Sequence, residues 1–443
     1  MTVVVVRPAR LETLEATLLR VLACATIALA PVEGYLTAVQ SQLGKVAPAL
    51  LTLVWLVVRI RHRQPPRPTP LHAVLALLAV VLAATASLHS AGPFTAEYTV
   101  RWLPFLVVTA VLADVASREV PVRWLLLAAA AGATVAGAGA LYSLVAEGEA
   151  RASGPQPDPN DLAYFLVAAV PLLAALHRRG RGPALTAAGI VLVAGATATF
   201  SRGGALGLTA AVGWLLLRRV LPWRVLGAAA AAVAGLGLAA WAFAGPQLDR
   251  ALQEKSFIAA SNVDTRELRW QAAARMLTAH PVLGVGPGGF REHYAADSHN
   301  AEVDEQTPVA HNMYLEVAAE LGLPGFALFA GVVGVAAVAS ERTVRRAGAG
   351  PRRTEAVAIQ ASLLAAGVTS TFLSEQYYLP LWSLAALAVA AEIRVPDPAK
   401  SRPPPTRHVT VPTKPFGRGC GRIGNHWHSR GEGRADAGAA RDQ

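Results

Sequence analysis

The segment LHAVLALLAVVLAATASL, residues 71–88, decides what kind of molecule this is. It contains no Asp, Glu, Lys or Arg. Its length approaches the roughly 20 mainly apolar residues that an α-helix needs to cross a bilayer. Before it stand Arg59, Arg61, Arg63 and Arg67, while the connector after it, 89–101, is poor in basic residues. This pattern predicts a spanning helix with one arginine-rich flank.

Runs of the same kind recur outward from it, at 14–32, 46–60, 102–117, 124–145, 161–176, 184–200, 203–217, 225–244, 321–340, 356–373 and 380–394. They predict an all-α polytopic membrane protein with about twelve transmembrane helices. Composition agrees: of 443 residues, 53% are hydrophobic and 16% charged, and mean hydropathy is +0.39. Soluble domains carry about a quarter charged residues, so a soluble multidomain enzyme and a disordered chain are both excluded. Net charge is +11, which in a soluble protein would raise nucleic acid as a partner. Here the basic residues lie between apolar runs, so the expected partner is the membrane and not nucleic acid. Cys24 and Cys420 make no disulfide framework, and both are expected to be reduced. The first run shows no convincing cleavage site and is expected to stay as a helix.

The connectors set an orientation. Arg118 and Arg123, then Arg178, Arg179 and Arg181, then Arg218, Arg219 and Arg224, then Arg342, Arg345, Arg346, Arg352 and Arg353 follow the first cluster at every second connector. Arginine-rich short loops stay in the cytoplasm, which puts both termini inside. The connectors 33–45, 89–101, 146–160, 201–202, 245–311 and 374–379 then lie outside. Residues 1–395 form the membrane domain, with 245–311 as its large extracytoplasmic loop. Asp264 and Glu267 read as a capping box for a helix in that loop, with Trp270, Ala273, Ala274 and Leu277 at helical spacing and Pro281 ending it. Residues 396–443, rich in Pro, Gly and Arg, read as a disordered cytoplasmic tail.

Three positively charged or titratable residues stand where helices begin on the outer side. Arg202 opens the span 203–217, Arg266 lies in the first turn of the loop helix, and His311 precedes the span 321–340. A helix N-terminus offers unpaired N–H groups and about half a positive charge, which suits an anion. Guanidinium groups grip phosphate oxygens in pairs and stabilise a leaving diphosphate as its charge develops. A histidine with a pKa near 6.5 can accept a hydroxyl proton, and nearby arginines favour its neutral form.

Other signals carry less. Gly284-Val-Gly286-Pro-Gly288-Gly289 matches a dinucleotide-binding pattern but follows no strand and contains Pro287, so it reads as a loop. Cys420, His426 and His428 sit in the tail without a fourth ligand, and His293 and His299 read as solvated. Glu316 and Glu320, one turn apart, read first as solvated helix charges and second as groups that orient His311. Asn160 and Asp161 read equally as substrate contacts and as helix-cap chemistry.

Four segments taken together go further: Arg151-Ala-Ser-Gly154 leading to Asp158-Pro159-Asn160; Ser201-Arg202-Gly203-Gly204; Arg266 with Trp270, continuing through His280-Pro281 to Gly284, Gly286 and Gly288; and His311-Asn312 continuing to Glu316, Glu320, Gly322, Pro324 and Gly325. In this order they resemble the O-antigen ligase and polymerase superfamily of membrane glycosyltransferases, across about residues 150–326. The resemblance implies a GT-C-like membrane enzyme in a bacterial cytoplasmic membrane, with its active site facing outside. It implies a polyprenyl-diphosphate-linked glycan donor, an acceptor that is a glycan, lipid, wall polymer or protein, and no cofactor or metal. It assigns His311 as the catalytic base and Arg202 and Arg266 as donor diphosphate ligands. Arg151, Asn160, Arg269, Asn312 and Glu320 stand as supporting residues. A transporter or flippase of the same lipid-linked glycans is the alternative, disfavoured because its polar groups belong at the membrane midplane and not at one face.

Overall fold

The computed structural model describes residues 13–177, 182–224, 227, 265–302 and 308–396. The described residues are α-helices joined by turns, with no strand among them. In chain order they are α1 (Thr13–Leu29), a single 3-10 turn, α2 (Glu33–Val39), α3 (Leu43–Arg61), α4 (Pro70–Leu88), α5 (Thr95–Arg118) and α6 (Val122–Val145). There follow α7 (Pro159–Ala169), α8 (Leu172–Leu176), α9 (Gly182–Ala198), α10 (Arg202–Leu217) and α11, residues 265–279. The chain continues with α12 (Gly289–Asp297), α13 (Met313–Arg346), α14 (Pro351–Thr369) and α15 (Leu379–Arg394). Among the described residues, seven helical segments are long and apolar enough to cross a membrane: Thr13–Val39, Leu43–Arg61, Pro70–Leu88, Thr95–Arg118, Val122–Val145, Pro159–Leu176 and Met313–Arg346. α9 and α10 are apolar but shorter. Each apolar run of the sequence coincides with a helix, save 225–244, which apart from Gly227 lies outside the described residues. Residues 245–264 with Asp264, 303–307 and the tail from 397 onward lie outside them too.

The helix ends sort as the arginines do. Arg61 donates to Glu15 at 3.0 Å, Arg59 to Asp114 at 2.7 Å and to Glu119 at 2.8 Å, and Arg123 to the carbonyls of Ala175 and Leu176 at 3.0 and 2.8 Å. Arg218 pairs with Glu341 and Arg346 with Glu392. Each of these contacts joins helix ends that border the arginine-rich connectors or belong to the first and last helices. At the opposite end Gln156 donates to the Pro31 carbonyl at 3.0 Å and Tyr378 to Asp161 at 2.6 Å.

Packing between helices uses small residues, as it must where lipid supplies no apolar driving force. α10 lies against α14 so closely that a Cβ on Gly207 would meet the Ala365 carbonyl at 2.8 Å. α5, α13 and α15 meet around Trp102, Phe329 and Trp382, all fully buried, with ring centroids 5.7–6.1 Å apart. Two helices depart from regularity. The span over 161–176 breaks at Pro171, which lacks an N–H and crowds the preceding turn. α13 breaks at Gly322, whose φ is 68°.

Candidate active site

The break at Gly322 builds the floor of the site. The Pro281–Gly286 turn docks on it: Leu323 N–H donates to the Pro281 carbonyl at 2.8 Å, Val285 N–H to Ala319 at 2.9 Å, and Gly286 N–H to Glu320 at 3.0 Å. A Cβ on Gly322 would meet the Val282 oxygen at 2.5 Å, and one on Gly284 would run into the Glu320 backbone. Close backbone approach thus explains both glycine motifs at once. The turn carries α11 above it. The buried face of α11 is Arg269, Ala272, Ala273 and Met276, one position out of phase with the sequence expectation: Ala274 is exposed. Periodicity alone marks a stripe, and here the partner, Phe290 and Tyr294 of α12 with Ala310, selects its neighbour.

Arg202 is the first residue of α10 and is exposed; the cap is Ser201, whose hydroxyl accepts from Gly204 N–H at 3.2 Å. Arg151 reaches the turn just before it, donating from Nε to the Thr199 carbonyl and from Nη2 to Asn160 Oδ1, both at 3.0 Å. Asp158, and not Asn160, caps α7, accepting from Asn160 N–H at 2.7 Å and from its side-chain amide at 2.9 Å. Arg266 lies half-buried among these groups. Burial pushes its pKa down, Asp158 opposes this, and Arg202, Arg151 and Arg269 push it down further. Arg269 is more deeply placed, 6% exposed, and its fork holds Glu302 at 2.9 Å on both oxygens while Nη1 donates to the Val309 carbonyl at 3.3 Å. It therefore braces the segment before His311.

His311 takes a left-handed backbone, φ 48°. It is not the helix cap: Asn312 is, with Oδ1 accepting from the N–H groups of Tyr314 and Leu315, both at 3.1 Å. Burial first, then Arg269 and Arg266, hold the His311 pKa down at about 4, against the opposing fields of Asp158 and Glu316. The imidazole is neutral at pH 7. The expected titration at 6–7 is corrected downward, because the sequence shows the arginines but not the burial.

Glu316 and Glu320 are corrected too. They are 0% and 1% exposed, not solvated. Both accept from Arg291 Nη1, at 3.2 and 3.3 Å. Glu316 also accepts from Gln376 at 2.9 Å, from the Ser374 hydroxyl and from Ala310 N–H at 3.0 Å, so it ties the residue before His311 to the 374–376 turn. Arg291, which the sequence reading passed over, lies 4.1 Å over the Tyr98 ring. No spacing distinguishes it from Arg275 nearby; its partners are distant in sequence. His311 and Arg291 line a cavity of about 500 Å³ together with Gln156, Asp158, Asp161 and Tyr378. Among the described residues, no three His, Cys, Asp or Glu side chains converge as metal ligands would.

Residues 187–330 match the family model described as O-antigen ligase. Over that stretch the chain is similar to the O-antigen ligase superfamily. No curated protein matches it. The O-antigen ligase stretch runs from within α9 into α13 and so holds Arg202, Arg266, Arg269, Arg291, His311 and Glu316. This match and the apolar helices together point to a multi-pass membrane protein that carries an O-antigen ligase-like stretch. Arg151, Asn160 and the 373–378 turn of the cavity come from outside the matched stretch.

Proposed function

We propose that the protein transfers a glycan from a polyprenyl-diphosphate carrier to an acceptor hydroxyl, on the extracytoplasmic face of a bacterial cytoplasmic membrane. Residues 1–395 are its membrane domain, 245–311 its outer loop and 396–443 a cytoplasmic tail. One observation carries the reading: Arg151, Arg202 and Arg269 act on Arg266, and Arg266 with Arg269 acts on the buried, neutral His311. Such a concentration of guanidinium groups suits a diphosphate.

Arg202 and Arg266 bind the donor diphosphate. Arg151 and Asn160 hold the turn that presents Arg202, Arg269 braces the approach to His311, Asn312 caps the helix behind it, and Glu320 shares Arg291 with Glu316. His311 takes the proton of the acceptor hydroxyl. The acceptor oxygen attacks the anomeric carbon while the carbon–oxygen bond to the diphosphate breaks, and that electron pair leaves on the diphosphate. Attack opposite the leaving group inverts the anomeric carbon. Arginines stabilise the departing charge more than the bound ground state, which is the condition for acceleration. Purified protein with a polyprenyl-diphosphate glycan and acceptor should release free polyprenyl diphosphate and extend the acceptor. Extension without release, or release that survives Arg202→Ala and Arg266→Ala together, overturns the assignment.

A further inference from the structure

The arginines leave unexplained the other wall of the His311 cavity. There Asp161 accepts from the Tyr378 hydroxyl at 2.6 Å, and Glu375 meets the Asp161 carboxyl. Glu375 is 1% exposed, and neither of its oxygens has a hydrogen-bond donor among the described residues. Burial, then Asp161, pushes the Glu375 pKa well up. The cavity wall itself offers the Asp158 and Asp161 carboxyls and the Tyr378 phenol, and Glu375 is not among its lining residues. Phe165 stacks edge-on to Tyr378, with ring centroids 5.6 Å apart, and stiffens that ring.

We propose that this cavity is the subsite for the acceptor's terminal sugar, a neutral pyranose whose hydroxyls are read by Asp161 and Tyr378. The inference rests on the glycosyl-transfer reading and names the acceptor side of it. Three observations carry it. His311 lines the cavity, and the base must face the acceptor hydroxyl and not the leaving group. Arg202 and Arg266 do not line it; Glu33, Asp158 and Asp161 do, and the two arginines that line it, Arg101 and Arg291, are already paired with Glu97 and with Glu316 and Glu320. Its volume of about 500 Å³ falls within the ~300–1,000 Å³ of ligand pockets, with polar groups of both hydrogen-bonding senses. Sugar hydroxyls donate and accept together, which matches such a wall better than it matches an anion or an apolar chain.

The test uses the full-length protein in lipid nanodiscs, with Asp161→Asn, Tyr378→Phe and Thr37→Trp, the last placing bulk at the cavity lining away from the carboxyl pair. Each variant should raise the acceptor KM about tenfold or more, while affinity for polyprenyl diphosphate alone stays within twofold. Unchanged acceptor KM in all three overturns the proposal. So does a rise confined to the KM of the glycan donor, which hands the cavity to the donor glycan, or a gain for acidic over neutral sugars. Should the wild type transfer no glycan, the transfer reading fails by itself and the cavity is judged by saturation-transfer NMR with methyl hexosides. Signals present in the wild type and weakened in Tyr378→Phe keep a neutral-sugar site; their absence ends it.

Discussion

His311 illustrates how one side chain acquires a role from its surroundings. With a pKa of about 4 in the free protein it is neutral but weakly basic. A bound diphosphate places negative charge beside it and raises that pKa toward the working range. The acid limb of kcat/KM, which reports the free protein, should therefore lie near pH 4, and the limb of kcat should lie higher. Coincident limbs at pH 6–7 would count against a buried base. Stability follows the same sign. Between pH 6.5 and about 4 the unfolded chain holds a proton that folded His311 does not, so this contribution is full above 6.5 and lost as pH falls. His311→Gln should lower turnover by about 10²–10⁴-fold while keeping polyprenyl diphosphate affinity. Full turnover in that variant removes the base. Arg202→Lys and Arg266→Lys should each lose most activity at unchanged protein level, since lysine keeps the charge but not the planar fork. Wild-type rates in Arg266→Lys would move the phosphate contact elsewhere.

Among the elements, α13 carries the most. Its first part begins at a capped N-terminus beside His311, and its break at Gly322 receives the 281–286 turn. Gly322→Ala meets both a left-handed φ of 68° and the Val282 oxygen at 2.5 Å. It should cost about 1–3 kcal/mol and lower the melting temperature in detergent, with activity falling alongside. Asn312→Ala should cost about 1 kcal/mol through the lost cap, a smaller melting shift. If the two melting shifts were equal, the docked turn would not be what the break serves.

For the whole molecule, the alternation of arginine-rich connectors predicts which end of the bundle faces out. In a Cys24→Ser, Cys420→Ser background, Glu147→Cys should react with an impermeant maleimide on intact cells. Arg67→Cys should react only after the membrane is opened. The reverse pattern inverts the orientation and places the arginine cluster on the wrong face for an outer-leaflet donor.

Helix placement was legible without a structure, because a chain in lipid must satisfy its backbone hydrogen bonds within each segment and so writes each helix as one apolar run. The same locality exposed Arg202 and Arg266 at helix beginnings, and the paired glycines at 284–286 and 322. What no local pattern could show was the depth of each polar group. Glu316 looked solvated until Arg291, Ser374, Gln376 and Ala310 were seen to converge on it. Asn160 looked like a cap until Asp158 took that place, and Glu375 showed no pattern before it met Asp161. These are contacts between segments tens to hundreds of residues apart. Sequence alone determined the apolar helices, their order and the arginines at helix beginnings, because each depends on near neighbours. Only the tertiary structure decided which carboxyls are buried, how basic His311 is and where a cavity opens, because burial is set by what packs across the bundle.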